Sequence, residues 1–233
     1  AAIDLAVRVA KLDPRMCRFS GVVNALLRNV AREAVFLRQK APHIEGIPVW
    51  FGQLLVSTYG KEKTEQILEI QSAPPPLDLT VKSDSRGWAE RLGGVVLPNG
   101  SVRLSRLEGS VSELPGYMEG AWWIQDFAAS LPACLLGNIH GKQVADLCAS
   151  PGGKTAQLAL QGADVTAIEL SANRLKRLKE NMERLHFSVR CCEGDVKNFH
   201  PKQLFDAVLL DAPCSSTGTI RRHPDILWTK SMN

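Results

Sequence analysis

The chain has 233 residues, 45% of them hydrophobic and 22% charged. That balance excludes a disordered segment and predicts a soluble, folded protein long enough for more than one domain. No apolar run approaches the ~20 residues of a membrane span and no signal peptide opens the sequence, so a cytoplasmic protein without a membrane partner is expected; the net charge of +4 permits a nucleic-acid partner without requiring one.

From residue 1 to about 70 the pattern is helical. "AAIDLAVRVAKL" reads as an amphipathic helix already under way, which implies residues upstream of it. "SGVVNALLRNVAREAVFLRQK" repeats apolar residues at three- and four-residue spacing, with Ser20 as its N-cap and basic residues toward its end. Pro42 and Pro48 punctuate the pattern before "VWFGQLLVSTYGKEKTEQILEIQ" resumes it. The three consecutive prolines of "SAPPPLDLTVK" then stop the helices, because they supply no backbone donors. Over residues 71–117, the short alternating runs "LDLTVK" and "VVLPNGSVRL" between Gly, Asn and Pro predict a small α+β module.

From 118 to 233 the rhythm is strand and helix in turn. "QVADLCA", "DVTAIEL", "SVRCCEGD" and "FDAVLLDAP" read as strands, and "GGKTAQLALQ" and "SANRLKRLKENMERLH" as helices between the first three. This predicts an α/β Rossmann-like domain, a parallel sheet with helices on both faces and ligands at the carboxyl ends of its strands. Trp122 and Trp123 read as core residues, and Arg174, Lys176, Arg177 and Lys179 as a solvated helix face. The six cysteines form no CxxC pair and no zinc-ligand spacing, so a reduced compartment and no metal are expected; Cys191 and Cys192 read as strand residues, one of them buried.

"DLCASPGGKTAQLA", beginning at Asp146, resembles a phosphate-binding loop but fails its spacing. A G-x-x-x-x-G-K-[ST] loop needs glycine where this chain has Cys148, and no G-x-G-x-x-G is present. The strand ends suggest another ligand. Asp146 and the loop Cys148, Ala149, Ser150, Pro151, Gly152, Gly153 and Lys154 follow the first strand. Glu169 ends the second, Asp195 follows the third and Asp211 ends the fourth. Glu169 suits a pair of ribose hydroxyls, Asp195 an adenine amino group, and the two glycines a close backbone approach. Such a set suits S-adenosyl-L-methionine, whose amino-acid tail needs a carboxylate and backbone donors; singly, each acid could as well cap a helix or turn. Lys154 could hold the tail's carboxylate, an RNA phosphate, or nothing but solvent.

"LLDAPCSSTGTIRRHPDILW" is the most specific stretch. With "DLCASPGGKT", "IEL", "EGD", "WIQDFAAS", "VVNALLRN" and "LPGYMEG", it resembles the RNA cytosine-5 methyltransferases, and among them the small-subunit ribosomal-RNA methyltransferase B family (RsmB, also called Sun or Fmu), over most of the chain. The resemblance implies a helical NusB-type remnant over 1–70, an RNA-binding module over 71–117 and a methyltransferase domain over 118–233. It implies S-adenosyl-L-methionine as cofactor and RNA (16S ribosomal RNA) as substrate and partner; separately, a monomer is expected. It makes Asp211 a contact to the cytosine beside the methyl donor. Cys214 becomes the proline-cysteine residue that assists breakdown of a covalent cysteine–cytosine adduct. Read as residues, Arg221 and Arg222 suit clamps on the RNA backbone, the alternative being a surface ion pair, and His223 is given no catalytic duty.

The family's nucleophile is a cysteine in a Thr-Cys motif on a later strand. That motif is missing here, so the expectation is a chain truncated at its C-terminus, with the fourth strand left as an apolar edge. Other readings stay open. Cys214 could itself be the nucleophile, as in DNA cytosine-5 methyltransferases, or an inert thiol. The substrate could be tRNA if the helical block is not NusB-like, and these 233 residues could hold cofactor and RNA without turnover.

Overall fold

The computed structural model describes residues 2–39, 44–105, 107, 109–201 and 203–231; Pro42 lies outside them. The chain divides into two units, residues 1–74 with 216–233, and residues 75–215.

The first unit holds α1 (Ala2–Leu12), α2 (Ser20–Arg32), α3 (Ala34–Gln39), α4 (Val49–Tyr59) and α5 (Lys61–Ser72). Ser20 does not cap α2 but is its first helical residue. The 3-10 turn Cys17–Phe19 runs straight into the helix and leaves no extended residue from which a hydroxyl could reach back. Ile47, Phe51, Leu55 and Leu68 form a buried core that Ile220 and Ile226 complete. Arg221 donates to the carbonyls of Ala73 (3.2 Å) and Pro74 (3.1 Å), so its guanidinium ties two stretches of this unit together.

The second unit begins with β1 (Leu77–Val81), α6 (Ser85–Leu92), β2 (Val95–Val96), β3 (Val102–Leu104) and β4 (Trp122–Ile124), an antiparallel sheet in the order β2-β3-β1-β4 with α6 beside it. The expected division at 117/118 falls inside this unit, because the strand beyond it completes the sheet: Val81 pairs with Trp122 and Leu79 with Ile124. Trp122 and Trp123 are buried, as their place in the sequence predicts. Asp78, fully buried on β1, accepts a bidentate pair from Arg103 (2.7 and 2.8 Å) and the N–H of Phe127 (3.0 Å). That one carboxylate joins the sheet to the helix that follows.

Then come α7 (Phe127–Cys134), β5 (Gln143–Leu147), α8 (Gly153–Leu160), β6 (Asp164–Glu169), α9 (Ala172–Arg184), β7 (Arg190–Glu193) and β8 (Ala207–Leu210). The four strands are parallel, in the order β7-β6-β5-β8. The chain moves outward from β5 to β7, then returns to lay β8 on the other side of β5. Such a reversal opens a crevice beyond the carboxyl ends of β5 and β8.

Helices cover this sheet on one face within the unit, not on both as the rhythm predicts. Val144, Val165 and Leu209 pack with Ala133 of α7 and Leu158 of α8, and Ala167 packs with Leu178 and Met182 of α9. Strand alternation puts all four of these strand residues on the same face. On the other, Thr166, Arg190 and Cys192 line a cavity of about 450 Å³ closed by Phe199 and Phe205, while Val208 and Leu210 of the edge strand β8 are more than half exposed. No described helix is long and apolar enough to cross a membrane.

Candidate functional site

The chain must turn at once after β5 to start α8. Cys148 does so at φ +63°, a left-handed conformation of the kind glycine usually supplies. Burial pushes the Cys148 thiol up, and the nearby Glu169 carboxylate adds to the effect. Gly152, at φ +104°, is the N-cap of α8, and a Cβ there would stand 2.9 Å from Met182 Cε. Gly153 opens α8 with nothing nearer its absent Cβ than Gln125 at 3.6 Å. Gly152 thus makes the turn, and Gly153 leaves a space.

Three contacts from α9 fasten the loop. Arg174 donates to the Ser150 carbonyl (3.0 Å), the Ser150 hydroxyl donates to the Arg174 carbonyl (2.9 Å), and the Asn181 amide donates to the Pro151 carbonyl (2.8 Å). Arg174 makes these contacts while its side chain stays about half exposed, so Arg174, Lys176, Arg177 and Lys179 all lie on the solvated face that the charge pattern predicts. Glu169 is buried beneath the loop, accepting from the N–H of Ser150 (3.3 Å) and Ser171 (3.1 Å), with Arg174 at 3.5 Å.

In the crevice between β5 and β8, Cys148, Ala149, Ser150, Pro151, Gly153 and Lys154 line a cavity of about 180 Å³. Asp146 lines it too, and Asp211 enters from the end of β8. The Asp146 side chain is buried and accepts the Thr155 hydroxyl at 2.6 Å. Burial pushes its carboxyl up to about 6, against the pull of the Thr155 hydrogen bond and the Lys154 ammonium. Lys154 and Asp211 form an ion pair at 2.7 Å, because residues that follow adjacent parallel strands are brought together. Spacing alone does not reveal this pair.

The remaining wall is Ile124, Gln125, Asp126 and Ala129, from β4 and the start of α7. Gln125 is fixed by a buried network. Its Oε1 accepts from the Thr80 hydroxyl and the Trp123 indole (both 2.9 Å), and its amide donates to Gln157 Oε1 at 2.5 Å. Residue patterns assign no role to Gln125 or Asp126; their one signal is the segment "WIQDFAAS" in which they stand.

Other expected site residues lie apart from this cavity. Gly152 packs against α9. Asp195 caps the 3-10 turn Val196–Asn198 by accepting the Lys197 N–H at 3.0 Å. Cys214 is exposed, three residues beyond Asp211. Arg221, Arg222 and His223 belong to the first unit. Among the described residues no group of three or more His, Cys, Asp or Glu side chains could hold a metal ion.

Three aspartates, Asp126, Asp146 and Asp211, face this cavity against one lysine. That excess of carboxylates suits a ligand carrying positive charge and disfavours a polyphosphate.

Residues 133–233 match the family model described as 16S rRNA methyltransferase RsmB/F. The chain is 36% identical to the ribosomal RNA small subunit methyltransferase B of Vibrio cholerae, over 99% of this chain and 57% of that protein. It spans about half the length of the curated relatives it matches. A methyltransferase homolog protein from Pyrococcus horikoshii is similar in structure, with TM-score 0.62 and 27% identity over 76% of this chain and 63% of that one. NSun6 from the same organism, solved with SFG, shares the fold at TM-score 0.63 and 18% identity, over 74% of this chain and 72% of that one.

Proposed function

The chain belongs, through residues 133–233, to the 16S rRNA methyltransferase RsmB/F family, and from that premise we propose that it methylates carbon 5 of a cytosine in RNA, with S-adenosyl-L-methionine as donor and 16S ribosomal RNA as substrate. The observation that carries this reading is the acidic cavity at the β5–β8 crevice, where the "SPGGKT" loop meets the aspartate of "DAPC".

The donor, when bound, supplies an electrophilic methyl group on a sulfonium cation. Asp126, Asp146 and Asp211 favour that charge, Lys154 is the lining cation for the donor's carboxylate, and the missing side chain of Gly153 gives the ligand access to backbone. Glu169 is assigned to the ribose hydroxyls. Its carboxylate retains lone pairs beyond those that Ser150 and Ser171 occupy. Asp195 is assigned to the adenine amino group.

Carbon 5 of cytosine is too poor a nucleophile to take a methyl group unaided. A cysteine thiolate adding at carbon 6 makes carbon 5 enamine-like, and a later proton loss from carbon 5 expels the thiolate. Asp211 holds the base, and Cys214 assists breakdown of the adduct rather than attack. The NusB-type helices and the antiparallel module, with Arg221 and Arg222, supply RNA affinity through phosphate contacts.

Calorimetric titration of the chain with S-adenosyl-L-methionine, with ATP as control, tests the site. Micromolar binding of the sulfonium and none of ATP is expected; tight ATP binding overturns the assignment. Cys214→Ala, in a protein of the curated relatives' length, tests the chemistry. A covalent RNA adduct should accumulate on denaturing gels, and an enzyme that forms none at all would make Cys214 the nucleophile.

A further inference from the structure

Beside the acidic cavity lies a second one, of about 310 Å³, lined by Tyr117, Trp123, Asn181 and Arg184 among others. The two cavities share Ile124, Pro151 and Gly153. Their electrostatics are opposite: no carboxylate lines the second, and a guanidinium does.

Arg184 is held with little freedom. Its Nη1 donates to the carbonyls of Tyr117 (2.7 Å) and Trp122 (3.3 Å), and its guanidinium lies 4.1 Å from the centroid of the Tyr117 ring. Gly120 presses on the same end of α9, where a Cβ would meet the Arg184 carbonyl at 2.1 Å. Among the described residues no carboxylate forms an ion pair with Arg184, and its Nε is buried without a hydrogen-bond partner. A second cation is near: Lys82 donates to the Leu185 carbonyl and lies over the Phe187 ring. Burial pulls both cations down from their usual ranges. A half-buried cation without a counter-charge is costly, and a ligand anion relieves that cost. Asn181 adds capacity, since its amide spends one N–H on the Pro151 carbonyl and keeps another.

We infer that this cavity binds a backbone phosphate of the RNA strand, from a nucleotide flanking the methylated cytosine. The inference rests on the RNA reading above. Phosphate is the anion that such a strand carries at every nucleotide, and the turn Pro151–Gly153 separates its cavity from the donor's. Division of labour follows from charge, with the cationic donor on the acidic side and the anionic strand on the basic side.

Fluorescence anisotropy with a labelled single-stranded RNA oligonucleotide containing one cytosine, over a salt series, tests the assignment, with S-adenosyl-L-methionine titrated in parallel. Arg184→Gln and Asn181→Asp should each weaken RNA binding roughly 5- to 10-fold, and Arg184→Gln should lower the slope of log affinity against log salt by about one. Asn181→Lys should tighten binding, although it too gives up the Pro151 contact; a purely structural role for Asn181 predicts the opposite. Affinity indifferent to charge at 181 and 184, or weakened alike by all three variants, overturns the assignment. Equal loss of S-adenosyl-L-methionine binding also overturns it, by showing collapse of the shared turn. An unsubstituted chain that binds no RNA overturns instead the RNA reading on which the inference rests.

Discussion

Asp146 lies under the site loop at 1% exposure, and one hydroxyl, that of Thr155, is its hydrogen-bond partner. Its carboxyl, pushed up to about 6 from an ordinary 3.8, keeps its proton in the folded chain over a range where the unfolded chain has released it. The stability this contributes is fully present below about pH 4 and is lost as pH rises through 6. Asp146→Asn should therefore melt at higher temperature than the parent at pH 8, with the two curves converging below pH 4. Thermal unfolding across that range checks it, and a gap that does not depend on pH would remove the buried proton from the account. The sequence marks Asp146 as a polar residue near a strand end. It does not mark the burial, which comes from strand register turning Asp146 to the helix-covered face of the sheet, against Thr155 of α8.

At the scale of the element, the loop-to-helix junction at α8 separates two glycines that look equivalent in "SPGGKT". Gly152 is required by backbone conformation and by Met182; Gly153 sits in ordinary helical geometry with room for a methyl group. Gly152→Ala should destabilise by about 1–3 kcal/mol, through left-handed strain and crowding. Gly153→Ala should be neutral or stabilising by up to about 1 kcal/mol, because alanine restricts the unfolded chain. Urea denaturation midpoints compare the two, and equal losses would contradict the distinction. Dihedral angles make it, and the spacing of the motif carries no information on them. The strand β4 is a similar case. Its apolar residues are plain in the sequence, but its partner is β1, 41 or more residues earlier in the chain, so it joins the antiparallel sheet and not the parallel one. The ion pair of buried Asp78 with Arg103, isolated charges in the sequence, comes from the pairing of β1 with β3, which sets these two residues opposite each other.

For the whole molecule, local pattern foretells much. The apolar runs of β5 to β8, the amphipathic repeats of α8 and α9 and the proline stop after α5 all depend on residues a few positions apart, so they can be read directly. The return of residues 216–233 to the helical unit cannot, because Ile220 and Ile226 find Phe51 and Leu68 across more than a hundred residues. By itself the sequence determined the strand–helix alternation, the family likeness and the roster of polar residues at the strand ends. Tertiary structure decided which of those residues meet. Strand order is set by hydrogen-bonded ladders between distant segments, and the placing of β8 beside β5 brings Asp211 against Lys154, 57 residues apart. The same ladders leave Glu169 beneath the loop and Asp195 at a turn.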